Sequence, residues 1–134
     1  MKTVTWMLED ELYESFNENG NKVMIDMRAY AARISQSPTE MLLSAVAGCG
    51  AVDIVLMLKK RRRQIIDFKI ETEGERREET PRYFTAIHCT YSITSPDVTE
   101  EEFQKAAKLA IEKYCSVASS LKAQVTFSIK IIRP

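Results

Sequence analysis

The stretch SPTEMLLSAVAGCGAVDIVLMLKKRRR, Ser37 to Arg63, decides how the rest of the chain is read. Ser37-Pro38-Thr39-Glu40 forms a capping box with proline at the first helical position. Ser37 can accept from the amide three residues on, and Glu40 can reach back to the cap amide. Five consecutive cations, Lys59 to Arg63, fall where the negative end of the helix dipole is expected. Between these signals, Met41 to Leu58 is 18 residues with a single charge, Asp53. A membrane span has that length, but a mid-helix carboxylate costs about 2.5 kcal/mol or more on insertion. Gly48, Gly50 and flanking segments that alternate like soluble strands also argue against spanning. The stretch is expected to be a helix buried on all sides by protein. So small a domain has difficulty covering a helix all round, which points to a dimer.

Strands are predicted on both sides of this helix. Upstream, Val4, Trp6 and Leu8 alternate with polar neighbours, as do Val23, Ile25 and Met27. Glu11 to Phe16 supplies a middle strand, and Asn17-Glu18-Asn19-Gly20-Asn21 a turn, since Asn and Gly tolerate positive φ. Downstream, Ile66, Phe68 and Ile70 share one face, and Tyr83, Thr85, Ile87, Cys89, Tyr91 and Ile93 share another. A charged turn, Gly74 to Pro81, lies between them. Thr99 and Glu102 make a second capping box, with Val98 and Phe103 placed for a hydrophobic staple. Phe103, Ala107, Ala110, Ile111 and Tyr114 form that helix's apolar face. A short helical segment, Ser116 to Lys122, and a last strand through Val125, Phe127, Ile129 and Ile131 complete the chain. The order βββ-α-ββ-α-β predicts an α+β fold, an antiparallel sheet packed on helices, as a single domain over residues 1–134.

Composition narrows the chemistry. The 134 residues carry 19 basic and 19 acidic side chains and no net charge, so no global field draws the chain to nucleic acid or anionic lipid. The opening residues, Met1 to Trp6, lack the apolar core of a signal peptide, and the three cysteines are an odd number. A cytoplasmic protein with reduced thiols is expected. Metal and cofactor binding are not: the only histidine, His88, falls on the polar face of its strand, and no two cysteines have ligand spacing. No glycine-rich phosphate loop or nucleophile elbow is present. Cys89 reads as a small core residue beside Ile87 and Tyr91. Cys49, inside the apolar helix, would read the same way unless a cation lowers its pKa. Asp53, one turn later, works in the opposite direction. Arg28 and Arg33, just before the helix, are the nearest candidates by position. The cations of Lys59 to Arg63 and Arg76-Arg77 raise a nucleic-acid reading, which Glu75, Glu78, Glu79 and the zero net charge oppose.

Ser37-Pro38-Thr39-Glu40-Met41-Leu42-Leu43, Ala47-Gly48-Cys49 and Val52-Asp53-Ile54-Val55 resemble the helix signature of the OsmC/Ohr family of osmotically inducible and organic hydroperoxide resistance proteins. Glu112-Lys113-Tyr114-Cys115-Ser116-Val117-Ala118 resembles its second cysteine motif. The hairpin Gly74 to Phe84 is similar to that of the less characterised OsmC-like branch. The resemblance implies an intertwined homodimer, with sheets from both subunits wrapped around long central helices. It also implies a thiol-dependent peroxidase. Cys49 would attack an organic hydroperoxide as thiolate, Cys115 would resolve the sulfenate as a Cys49–Cys115 disulfide, and an external dithiol would reduce it. The chemistry is consistent: a neighbouring thiol prevents overoxidation, and a dry pocket favours organic peroxides.

The chain departs from the hydroperoxide resistance branch in two respects. That branch has a glutamate ten residues before its first cysteine, paired with an arginine that stabilises the thiolate. Here Thr39 holds that position and Glu40 follows it. At 100° per residue, Glu40 lies roughly opposite Cys49 on a continuous helix, so a capping role is at least as well supported for it as a catalytic one. No arginine matches the branch's early-loop context. Arg28, Arg33, Glu40 and Asp53 are therefore possible supports for Cys49 and Cys115. The alternative is a dimeric small-molecule binding module that keeps the fold with little or no peroxidase turnover.

Overall fold

A computed structural model describes residues 1–134 and divides them into two compact units, Met1–Leu42 and Leu43–Pro134. The first unit is an antiparallel meander of β1 (Thr3–Glu9), β2 (Leu12–Asn17) and β3 (Lys22–Asp26), with β2 in the middle. The predicted turn closes through Asn17, whose side-chain oxygen accepts from the amides of Asn19 (3.1 Å) and Asn21 (2.9 Å), while Gly20 takes φ 81°. Every residue of β1 is exposed, Trp6 and Met7 included.

Helix α1 (Pro38–Lys60) starts and stops where the sequence places it. Glu40 N donates to Ser37 Oγ (3.3 Å), and Ser37 N donates to Glu40 Oε1 (3.1 Å). At the far end Arg63 N donates to Leu58 O and Arg62 N to Lys59 O, with Arg62 at φ 61°. This is a Schellman cap whose left-handed position holds arginine instead of glycine. Burial differs from the expectation. Only Val46, Gly50, Ile54 and Leu58, one stripe at four-residue spacing, are buried. Val52 remains 60% exposed and Leu56 53%. By length and composition alone the helix could cross a bilayer. The uniform hydropathy that suggested all-round burial says how much apolar surface needs cover, not that one chain supplies the cover.

The second unit contains β4 (Asp67–Arg76), β5 (Phe84–Thr94), α2 (Glu100–Leu109), a π-helical turn (Ala110–Tyr114), α3 (Ser116–Ser119) and β6 (Gln124–Ile132). β5 lies between β4, antiparallel to it, and β6, parallel to it. A parallel neighbour needs a crossover, and α2 with the turns after it provides one. α2 begins with the predicted capping box on Thr99 and Glu102. The core gathers Val46, Ile54 and Leu58 of α1, Ile87, Cys89, Tyr91 and Ile93 of β5, and Val98, Phe103, Ala107 and Ala110. A register shift at Glu75/Arg76 moves Thr85 out to solvent and Phe84 into the core, where its ring lies over Gly74.

Candidate functional site

Cys49 stands half-buried on α1, one residue before Gly50, which faces the core. Cys115 reaches it from the end of the second helical stretch. There the Cys115 amide donates to Ala110 O (2.8 Å), five residues back, so the π-helical turn carries one more residue than an α-helix would. Cys115 is fully buried, and its Sγ accepts from Ala118 N (3.3 Å). Burial pushes the Cys115 thiol up; the Ala118 amide works against that, and the adjacent Cys49 thiol adds to it by hydrogen bond and charge. The structure thus brings Cys49 and Cys115 together in the same buried corner.

Two residues that the sequence reading passed over complete this corner. Tyr91, on β5, is fully buried, and its hydroxyl meets no oxygen or nitrogen partner; the group it interacts with most is the Cys89 thiol. Burial raises its pKa strongly, and the nearby Cys89, Cys115 and Cys49 raise it further, so it remains a neutral phenol. Gly50 makes room for it: a Cβ there would stand 2.8 Å from the Tyr91 oxygen. The available signal was a tyrosine among aliphatic residues on a core-facing strand, whose hydroxyl must find a place in the interior. Cys89 is buried as expected, with its thiol pushed up by burial, and Thr72 Oγ1 lies 4.0 Å from its sulfur.

Three of the possible supports, Arg28, Arg33 and Glu40, hold partners within the N-terminal unit. In the N-terminal unit Arg28 pairs with Asp26 (2.8 Å) and Glu9 (3.0 Å). Asp26 is completely buried, and the Arg28 guanidinium holds its carboxyl far below the usual range. Arg33 pairs with Glu40 (3.1 Å), which is also occupied in the capping box; the Ser37 hydrogen bonds are the main cause of its lowered pKa. Asp53 lines a shallow cavity of roughly 300 Å³ with Leu56, Met57, Lys60 and Tyr114. His88 bonds Thr126 (2.7 Å) and Ser128 (2.8 Å) across to β6. Of the basic run, Arg63 forms a two-pronged pair with Glu102 (2.7 and 2.9 Å), and Arg61 approaches the same carboxylate at 3.7 Å.

A family profile described as OsmC-like protein matches residues 32–130, most of the chain and all three cysteines. The chain belongs to the OsmC-like family. Protein YhfA of Escherichia coli K12 is 35% identical over 116 residues, covering 85% of each sequence. Among solved structures, the OsmC-like protein from Mycoplasma pneumoniae superposes with a TM-score of 0.83 at 18% identity, covering 98% of this chain and 96% of that one. The organic hydroperoxide resistance protein OhrB of Bacillus subtilis superposes at 0.63 and 15% identity, covering 98% of each chain. At those identities the two structures establish the OsmC-like fold for this chain and nothing about its substrate.

Proposed function

We propose that this OsmC-like chain is a thiol-dependent peroxidase that reduces organic hydroperoxides in a reducing, cytoplasmic compartment. The juxtaposition of Cys49 and Cys115 carries the reading. A half-buried thiol beside a fully buried one suits attack at the first and resolution at the second. The Cys49 thiolate attacks one peroxide oxygen: the S–O bond forms, the O–O bond breaks, and the alkoxide takes a proton and leaves as alcohol. Cys115 then attacks the Cys49 sulfur; the S–S bond forms and the sulfenic hydroxyl departs as water. An external dithiol supplies two electrons and two protons to restore both thiols. The working form is a homodimer in which a second copy covers Val52 and Leu56 of α1.

The test is to treat reduced protein with one equivalent of cumene hydroperoxide and count thiols by mass spectrometry. The expected product is a Cys49–Cys115 disulfide. Cys115→Ser should retain an oxidised Cys49, and Cys49→Ser should be inert. Both thiols intact after treatment would overturn the proposal.

One observation favours the binding-module reading. A cavity of roughly 350 Å³ between α1 and α2 has an apolar base, Met57, Leu58, Ala106 and Leu109, and edges that carry three cations, Lys60, Arg61 and Lys105, against one carboxylate, Glu102, which Arg63 already pairs. That shape and charge suit an amphipathic anion. Tight retention of a long-chain carboxylate by protein whose thiols ignore peroxide would select this reading.

A further inference from the structure

The end of α1 and the middle of α2 enclose the cavity of roughly 350 Å³ floored by Met57, Leu58, Ala106 and Leu109. Its rim is built by the way α1 stops. The amides of Arg62 and Arg63 occupy the carbonyls of Lys59 and Leu58, so these backbone oxygens are already taken and the chain turns back on itself. The charged groups on the rim are not equivalent. Glu102 is saturated: Oε1 accepts from Arg63 at 2.7 Å with Arg61 at 3.7 Å, and Oε2 accepts from Arg63 at 2.9 Å and from the Thr99 amide at 3.3 Å. Lys60 and Lys105, both exposed, pair with no carboxylate. Two unneutralised ammonium groups above an apolar floor fit an anionic head on an apolar tail.

We propose that this cavity binds a single-chain carboxylate, with its head between Lys60 and Lys105 and its chain over Met57, Leu58, Ala106 and Leu109. The inference rests on the binding-module reading above and adds the ligand's class, length and anchors. The class follows from which cations are free. Guanidinium forks match a phosphate, and here those of Arg61 and Arg63 are turned to Glu102. The two ammonium groups that remain are point charges suited to a head of single charge. The length follows from the volume. At the roughly 30 Å³ that a water molecule occupies in the liquid, the cavity takes about a dozen heavy atoms. That is two carboxylate oxygens and about eight to ten carbons. The head stays at the rim, where water still reaches it, and only the chain leaves solvent.

The experiment is calorimetric titration of the reduced protein with octanoate, decanoate, dodecanoate, decanol and decyl phosphate, alongside spectra of methyl-labelled methionine. Decanoate should bind about tenfold tighter than octanoate, the transfer of two methylenes. Dodecanoate should bind no tighter than decanoate, because the cavity is then full. The Met57 methyl, assigned with Met57→Leu, should be the methionine signal that moves. Lys60→Glu and Lys105→Glu change exposed side chains, so the fold should survive, and each should weaken decanoate about fivefold without affecting decanol. Decanoate failing to bind wild type, as it would if a second copy of the chain covered the cavity, overturns the inference. So does decanoate binding that leaves Met57 unmoved or is undiminished by both lysine reversals, and decyl phosphate binding more tightly than decanoate overturns the choice of head. Cumene hydroperoxide added to the decanoate complex tests the other question separately: rapid disulfide formation refutes the binding-module reading while the measured site stands.

Discussion

The contact between Gly50 and Tyr91 makes a quantitative prediction, because two opposing effects meet at one atom. Replacing an interior helical glycine by alanine ordinarily stabilises a helix by about 1 kcal/mol. At Gly50 the new methyl would sit 2.8 Å from Tyr91 Oη, while the next atoms, Ile111 Cδ1 and Tyr91 Cζ, are at 3.7 and 3.8 Å, ordinary contact distances. Crowding of a packed core costs about 1–3 kcal/mol. Gly50→Ala alone is therefore expected to be neutral to destabilising by about 2 kcal/mol, the difference between those figures. In the Tyr91→Phe background the single close atom is gone, so the same substitution should stabilise by about 1 kcal/mol. Tyr91→Phe alone should change stability little, since the buried hydroxyl it removes has at most a weak sulfur acceptor in Cys89. The coupling energy of the cycle is then about 1–3 kcal/mol. Denaturant unfolding of the four proteins at one protein concentration measures it, with midpoints compared at constant slope. Gly50→Ala shifting stability equally in both backgrounds would show that the hydroxyl does not lie over Gly50.

Three further outcomes are expected. The Arg63 hydrogen bonds hold Glu102 at about 2 against an ordinary 4.5, so its stabilising effect should be complete above about pH 4.5 and be lost as pH falls toward 2. Acid unfolding of Glu102→Gln should lack that part of the slope, and an identical slope would contradict the pairing. Introducing Asp at both Val52 and Leu56 should weaken association by about 10³-fold, on about 1 kcal/mol for each of four half-exposed side chains in a pair of copies. Sedimentation of wild type as a monomer at micromolar concentration would refute the homodimer. Thr99→Ala removes the oxygen that accepts from Glu102 N and should cost about 1 kcal/mol, read from the denaturation midpoint.

The parts of the fold legible in the sequence were those set by local chemistry. Ser37, Glu40, Thr99 and Glu102 announce their helix starts because a capping box needs only residues three apart. Asn17 and Gly20 announce their turn for the same reason. Alternation located β4, β5 and β6, yet it carries no information about strand direction, and the parallel pairing of β5 with β6 emerges only in the structure. The same holds at the site. A resemblance singled out Cys49 and Cys115 as a pair, but a motif says nothing of depth, and it is depth that raises the Cys115 thiol. The place of Tyr91 is invisible in the sequence because what surrounds its oxygen comes from α1, β5 and the segment after α2. The uniform apolar character of α1 hid which of its sides this chain covers; only the stripe at Val46, Gly50, Ile54 and Leu58 is covered.

The extra residue in the turn Ala110–Tyr114 has a consequence for engineering. Each residue of a helix advances the chain by about 100°. Deleting one residue there, so that Cys115 follows in ordinary α-helical phase, would swing the second sulfur about a quarter-circle off its present bearing. An inserted residue would do the reverse. Chain length in this turn is therefore not freely adjustable: the two sulfurs face each other in only one helical phase.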